Sequence, residues 1–261
     1  MDLSIVIPAY NEAERLGRML NRYAPFFQRR YGAACEVWIV VNGSRDDTAA
    51  IASDYAGRFP QIRVLIEPRP IGKGGAIMLG FARASGRLVG FVDADGSTPP
   101  EAFQELAERI GPAGAVIASR WMPGARVSPR QPWKRRLASR LFNGLVHGLF
   151  GLRISDTQCG AKLLTREAVQ AVLPRIGITR WAFDVDLLFQ LRRAGFEIRE
   201  IPTTWQDVAG SRLRVARASA EMALALARLR LLYSPFRGVV TVYDRTLGRL
   251  VSAHGKESRA T

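Results

Sequence analysis

Three observations predict an α/β fold for this chain, with a mostly parallel sheet carrying helices on both faces. Short apolar, β-branched runs alternate with helical patterns through the first half. Three of those runs end in polar loops, at residues 8–12, 42–46 and 93–97. The 261 residues, 48% of them hydrophobic, suffice to bury one large core.

Taken in order, residues 3–7 read as a strand and a helical pattern begins at Asn11. Residues 36–41 and 62–66 read as strands, 46–56 and 74–84 as helices, and a further strand ends at Asp93. In such a sheet ligands sit beyond the carboxyl ends of the strands, so the three polar loops should share one rim. Beyond Ser119 the pattern loosens into a Pro- and Arg-rich connection over 122–133, expected to be a mobile loop. A helix follows over 134–150, with Leu141, Leu145 and Leu149 in one row and Phe142, Val146 and Phe150 in the next. Arg136, Arg140, Asn143 and His147 form its opposite stripe. Core packing is the expected reason for both apolar rows, with membrane contact as the alternative that the cations favour.

Residues 180–194 read as helix, 196–201 as strand and 214–233 as a long helix. That helix carries Met222, Leu226, Leu229 and Tyr233 on one face, while Leu224 and Leu231 lie among Arg217, Glu221 and Arg228. Leucines so placed suit a headgroup layer in which the cations snorkel. One domain over 1–236 is expected, followed by a small, polar, partly disordered extension over 237–261.

The formal charge is +15, and it is concentrated: residues 109–155 hold nine Lys/Arg and no Asp/Glu, and residues 208–243 hold six Arg and one Glu. Such a field favours a polyanion or an anionic membrane surface. A nucleic-acid-binding module is the alternative from another class, but the charge does not interleave with an aromatic stacking platform, and no nucleic acid is expected as partner. Two cysteines, Cys35 and Cys159, give no disulfide framework. The first residues enter a strand without the basic region and apolar run of a signal peptide, and no run is long enough to span a bilayer. A cytoplasmic location is expected.

The most telling stretch is the strand that ends in Asp93-Ala94-Asp95-Gly96. In extended backbone, residues two apart point the same way, so Asp93 and Asp95 can share one cation, and hard oxygen ligands suit Mg²⁺ or Mn²⁺. A metal held there would neutralise a diphosphate leaving group; the plain alternative is an Asp-rich turn closed by Gly96. Residues 72–76, Gly-Lys-Gly-Gly-Ala, offer flexible backbone and the cation of Lys73 near a helix start, an anion cradle that lacks the Walker A pattern. The first strand is not followed by Gly-x-Gly-x-x-Gly, which counts against a dinucleotide-dependent oxidoreductase.

With Pro8-Ala-Tyr-Asn-Glu12, Asn42-Gly-Ser-x-Asp46, Gly72-Lys-Gly-Gly-Ala76 and Asp93-Ala-Asp95-Gly in this order, the chain resembles the family-two inverting glycosyltransferases of GT-A fold, a Rossmann-like architecture. The stretch from Ser155 to Lys162, the stretch from Arg180 to Asp186, and Trp205 with Gly210-Ser-Arg212-Leu are similar to the dolichyl-phosphate (polyprenyl-phosphate) β-glucosyltransferase branch. The resemblance implies Asp95 as direct metal ligand and Asp93 as a contact to the nucleotide sugar or the metal's water shell. It implies a base pocket from Pro8, Tyr10, Glu12 and Asn42, with Lys73 and Ala94 also on the donor. It implies an acceptor-phosphate site from Arg120, Arg135, Ser139 and Arg212, and a catalytic part for Asp184, as a base or in ordering acceptor and arginine. A helix-start carboxylate stabilised by the dipole is the plain reading of Asp184.

The family more often has two Asp residues where this chain has Val41-Asn42. The carbonyl of Asn42 accepts from uracil N3–H and its NH₂ donates to a uracil carbonyl, whereas guanine prefers a carboxylate across its two N–H donors, so the replacement leans toward UDP. The activity implied is metal-dependent, inverting transfer of glucose from UDP-glucose, the nucleotide-sugar donor, to a polyprenyl monophosphate. A GDP-mannose-dependent transferase, or one acting on a soluble acceptor, is the nearest alternative. Relatives in eukaryotes usually carry an N-terminal anchor, so attachment here is expected to rest on basic and amphipathic surfaces, peripherally on the inner face of the cytoplasmic membrane.

Overall fold

The computed structural model describes residues 1–129, 133–177, 182–206 and 215–235; within these, the side chains of Lys134, Arg135 and residues 215–220 lie outside the description. A seven-stranded sheet, ordered β3-β2-β1-β4-β7-β5-β8, organises the molecule. Its strands are β1 (Leu3–Ala9), β2 (Cys35–Asn42), β3 (Ile62–Glu67), β4 (Leu88–Val92), β5 (Ala115–Ser119), β7 (Ala161–Thr165) and β8 (Ile198–Pro202). All neighbours pair in parallel except β7, which runs antiparallel between β4 and β5. The chain winds outward from β1 to β2 and β3, then crosses to β4 on the other side of β1. That reversal is the switch point at which an open sheet leaves a crevice for ligand.

Every residue of β1 and β4 is buried, and successive side chains alternate between two cores, as a sheet covered on both faces requires. In β1, Leu3, Ile5, Ile7 and Ala9 join one core and Val6 the other; in β4, Leu88 and Val92 face the first, Val89 and Phe91 the second. The first core is closed by α1 (Ala13–Tyr31), α2 (Thr48–Arg58) and α4 (Pro100–Arg109). Leu16, Met19, Leu20, Tyr23, Ala24 and Phe27 of α1 follow the i, i+3, i+4, i+7 spacing that puts one stripe of a helix inside. The second core is closed by α3 (Gly72–Arg83), α5 (Trp133–Phe150), α6 (Arg166–Val172), α7 (Phe183–Arg193) and α8 (Val215–Leu232).

The sequence reading locates β1, β2, β3, β4, α2, α3 and α5 to within a few residues. The connection expected to be mobile over 122–133 is partly tied down: β6 (Arg126–Ser128) pairs in parallel with β9 (Thr204–Gln206) in a separate two-stranded sheet. The amphipathic reading of α5 also needs correction. Val146 and Phe150 are buried as expected, but Leu141 and Leu145 stand exposed, and Asn143 on the supposed polar stripe is buried. Asn143 turns inward because its Oδ1 accepts from Thr157 N at 3.1 Å and from Thr157 Oγ1 at 2.7 Å. In α8, Leu226 and Leu229 are fully buried and Leu224 is exposed, as the wheel predicts. Among the described residues no helix is long and apolar enough to cross a membrane. The extension over 237–261 lies outside the described residues.

Candidate active site

The loops after β1 and β2 are stitched to each other. Asn11, at φ +52°, donates its N–H to Ser44 Oγ (3.1 Å) and accepts from Arg45 N through Oδ1 (2.9 Å). Glu12 N donates to Thr48 Oγ1 (2.8 Å) and Ala13 N to Asp46 Oδ2 (3.1 Å). Ser44 and Asp46, in the loop after β2, thus hold backbone N–H groups of the loop after β1. The result is a fixed rim beside the switch point.

On this rim Pro8 and Ala9 are buried at the end of β1, and Tyr10 is exposed. Asn42, buried at the end of β2, donates Nδ2 to the Ala9 carbonyl at 3.1 Å. The carboxylate of Glu12 is held bidentately by Arg15, both contacts at 2.7 Å. Burial pushes the Glu12 carboxyl up against the pull of Arg15, and the carboxylates of Asp95 and Asp93 push the same way; β1 and β4 are paired in parallel, so the loops that follow them are neighbours on the rim.

The loop after β4 holds the carboxylate pair. Asp95 Oδ1 accepts from Ser97 N at 2.9 Å, closing a tight turn in which Gly96 takes φ +73°. Ala94 between the pair is buried. Asp93 N donates to the Gly160 carbonyl at 3.0 Å, and Lys73 Nζ lies 2.6 Å from Asp93 Oδ1. Burial pushes the Asp93 carboxyl up; Lys73 opposes this and Asp95 adds to it, and the net direction is upward. Lys73 is held above its ordinary value, because Asp93 and Asp184 outweigh its own desolvation. Its position follows from the start of α3, where Gly74 packs against the Phe183 ring so closely that an added Cβ would lie 2.5 Å from it.

Lys73 Nζ is also 3.9 Å from Asp184 Oδ2, in the first turn of α7. Asp184 in turn receives Lys162 Nζ at 2.5 Å on Oδ1, and Lys162 also donates to the Cys159 carbonyl at 2.8 Å. Burial pushes Asp184 up, but Lys162 and then Lys73 outweigh it and hold the carboxyl below the usual carboxylate range. Asp93, Lys73, Asp184 and Lys162 thus form one alternating chain of charges from rim to interior.

Directly after β5, Arg120 is clamped by Asp156: Nε to Oδ2 at 2.7 Å, Nη2 to Oδ1 at 2.9 Å, and the Arg120 backbone N to Oδ2 at 3.0 Å. Asp156 is fully buried, and the guanidinium lies 4.9 Å from the Trp205 ring centroid. Burial works against the Arg120 charge, but Asp156, and after it Cys159 and Asp93, outweigh it and hold the guanidinium above its ordinary value. The Ser139 carbonyl accepts from Asn143 Nδ2 at 3.1 Å, one turn along α5. The side chain of Arg135 and all of Arg212 lie outside the described residues. Neither cysteine has the character of a nucleophile: both are buried, which pushes each thiol up to about 12.

Sequence reasoning gave no role to Lys162, Asp156 or Gly160. A lysine inside the apolar strand 161–165 is the signal that was available for the first. Gly160 has the spatial requirement: a Cβ there would collide with the Asp93 carboxylate. Among the described residues no cluster of three or more His, Cys, Asp or Glu forms a closed metal cage. Two carboxylates beside an open rim instead match the donor set of a Mg²⁺ or Mn²⁺ ion that completes its shell with water and substrate phosphate.

The model of glycosyl transferase family 2 matches residues 4–173. The dolichyl-phosphate beta-glucosyltransferase ALG5C of Trichomonas vaginalis is 34% identical over 255 residues, covering 93% of this chain and 74% of that protein. The dolichyl-phosphate beta-glucosyltransferase of Saccharomyces cerevisiae is 32% identical over 250 residues, covering 88% and 75%. Among solved structures, glucosyl-3-phosphoglycerate synthase from Mycobacterium tuberculosis with Mn²⁺, UDP and glucosyl-3-phosphoglycerate superposes with a TM-score of 0.66 at 19% identity, covering 88% of this chain and 79% of that one. At that identity the likeness concerns the GT-A fold.

Proposed function

The chain belongs to glycosyl transferase family 2, and from this premise we propose that it transfers glucose from UDP-glucose to a polyprenyl monophosphate, with inversion, at an anionic membrane surface. The observation that carries the reading is that one segment, residues 156–160, ties the two ends of the site together: the Gly160 carbonyl accepts from Asp93 N beside the carboxylate pair, and Asp156 fixes the Arg120 guanidinium. Relatives named dolichyl-phosphate beta-glucosyltransferase support the sugar and the class of acceptor. The cytoplasmic, inner-face location belongs to the same proposal.

On the donor side, Asn42 uses one of its two amide N–H donors on the Ala9 carbonyl, which orients Oδ1 as the proposed acceptor for uracil N3–H. Asp95, with Asp93, would hold Mg²⁺ or Mn²⁺, which when bound supplies positive charge to the diphosphate leaving group. Lys73 at the N-terminus of α3 brings a second cation and the first-turn N–H groups to that diphosphate. On the acceptor side, two of the five guanidinium N–H donors of Arg120 go to Asp156 and the Nη1 edge is left for a phosphate. Arg135, Ser139 and Arg212 complete the proposed acceptor site.

In the reaction an acceptor phosphate oxygen attacks the anomeric carbon as the bond from that carbon to the UDP oxygen breaks, and UDP leaves with the electron pair. A phosphate monoester is already anionic near neutral pH, so the site has to position it more than deprotonate it. Asp184, held as an anion by two lysines, is a weak proton acceptor; we assign it the positioning of Lys73 and Lys162. Calorimetry with UDP and GDP in the presence of Mn²⁺, followed by turnover with UDP-glucose and GDP-mannose, tests the donor. Tighter UDP binding and a glucosyl product are expected, and preferential GDP binding would move the chain to mannosyl transfer.

A further inference from the structure

Nine large apolar side chains stand exposed among the described residues, and six of them lie on two helices that pack against each other. On α5 these are Trp133, Leu137, Leu141 and Leu145, with Leu141 67% exposed; on α8 they are Leu224, 71% exposed, and Leu231. The four on α5 recur every fourth residue, which sets them in one row about 18 Å long. Since Val146 and Phe150 already bury the other side of α5, the outward row is surplus to the core.

Charge selects what covers it. Residues 133–150 of α5 hold Lys134, Arg135, Arg136 and Arg140 and no Asp/Glu, and Arg136 and Arg140 flank the row, 6.0 and 5.6 Å from the Trp121 ring centroid. A second copy presenting the same face would set cations against cations. An anionic lipid surface satisfies both properties, because leucines enter the acyl boundary while arginines meet the headgroups.

We propose that the α5–α8 face inserts into an anionic bilayer and that Asn143 couples this docking to the acceptor site. The coupling path is short: Asn143 on α5 binds Thr157, and the adjacent Asp156 clamps Arg120. The depth at which α5 lies therefore sets the level of the Arg120 guanidinium relative to the lipid phosphates. This docking face rests on the lipid-acceptor reading above for its purpose, though not for its detection.

The test is co-sedimentation of the full chain with vesicles of phosphatidylcholine alone or with phosphatidylglycerol, for the wild type and the triple variant Leu137→Ser, Leu141→Ser, Leu224→Ser. Melting temperature and light scattering are read on the same samples, and turnover is measured with a short, water-dispersed prenyl phosphate and with a long one in vesicles. Binding of the wild type to the anionic vesicles is expected, weakened roughly tenfold or more in the variant, with melting and short-acceptor turnover unchanged. Asn143→Leu is expected to keep vesicle binding and lose turnover on the vesicle-borne acceptor, with Asn143→Asp retaining it.

Equal vesicle binding by wild type and variant, wild type left in the supernatant, or a wild-type dimer that the variant dissolves with vesicle binding intact would each overturn the docking face. Wild-type turnover by Asn143→Leu in vesicles would overturn the coupling. Variant-sensitive vesicle binding without transfer to any prenyl phosphate would uphold the docking face and bring down the acceptor reading instead.

Discussion

Lys162 sets its Nζ 2.5 Å from Asp184 Oδ1 with both side chains buried, so the innermost charge of the site is neutralised within the protein. Removing one partner strands the other. Lys162→Met is expected to cost about 3–5 kcal/mol, read by urea unfolding, and pairing it with Asp184→Leu to recover part of the loss. If Asp184 positions cations, Asp184→Asn lowers turnover but keeps the acid limb of the pH–rate profile, which then reports the acceptor phosphate ionising near about pH 6. Disappearance of that limb would make Asp184 a base.

The carboxylate pair makes a second prediction. Asp95→Asn should lower metal-dependent turnover on the order of 10²-fold with the melting temperature preserved, and EDTA should silence the wild type. Gly160→Ala, whose Cβ meets the Asp93 carboxylate, should approach the same loss without touching Asp95. Gly144→Ala, with open space around its Cβ in α5, is the control and should be neutral or stabilising by up to about 1 kcal/mol.

Arg120 holds a buried ion pair with Asp156 and, in the proposed function, the acceptor phosphate. Its loss leaves the fully buried Asp156 without its cation, so Arg120→Ala should fall in stability as well as in turnover. Arg120→Lys keeps the charge but loses the fork, and should raise the KM for the acceptor phosphate more than that for the nucleotide sugar. Equal effects on both would remove Arg120 from the acceptor site.

Away from the site, Glu36 supplies a pH test of stability. Burial pushes its carboxyl up, but hydrogen bonds from Ser4 Oγ (2.6 Å) and from Ser85 N and Oγ (2.6 and 2.9 Å) outweigh it, and the net direction is downward. A carboxyl lowered on folding stabilises fully above its unfolded value, about 4.3, and the contribution is lost as pH falls through the lowered folded value. Glu36→Gln should therefore cost about 1–3 kcal/mol near neutrality, with the gap to wild type closing below about pH 4 in thermal melts. A constant gap across that range would contradict the assignment.

Much of the proposed donor half is legible in sequence because its signals are local. β1, β2 and β4 are buried runs that end in polar loops, and Asp93 and Asp95 sit two apart at one strand end. The proposed acceptor half is built from distant segments. β7 runs antiparallel between β4 and β5 and carries Lys162 at its centre, so neither strand–helix rhythm nor apolarity announces it. Asp156 lies 36 residues from Arg120, and β6 finds β9 some 75 residues or more along the chain. The wheel of α5 shows two apolar rows and has no means of telling which one meets the core. Packing against α8 and the Asn143–Thr157 bonds decide that, turning Val146 inward and Leu141 out.

Incubation of the full chain with UDP-glucose, Mn²⁺ and a polyprenyl phosphate, with product mass and anomeric coupling read together, tests glucosyl transfer most directly. A single hexose added to the lipid phosphate in β linkage, absent with Asp95→Asn, is the expected result. An α-linked product, transfer from GDP-mannose in preference, or transfer confined to a soluble phosphorylated acceptor would contradict it.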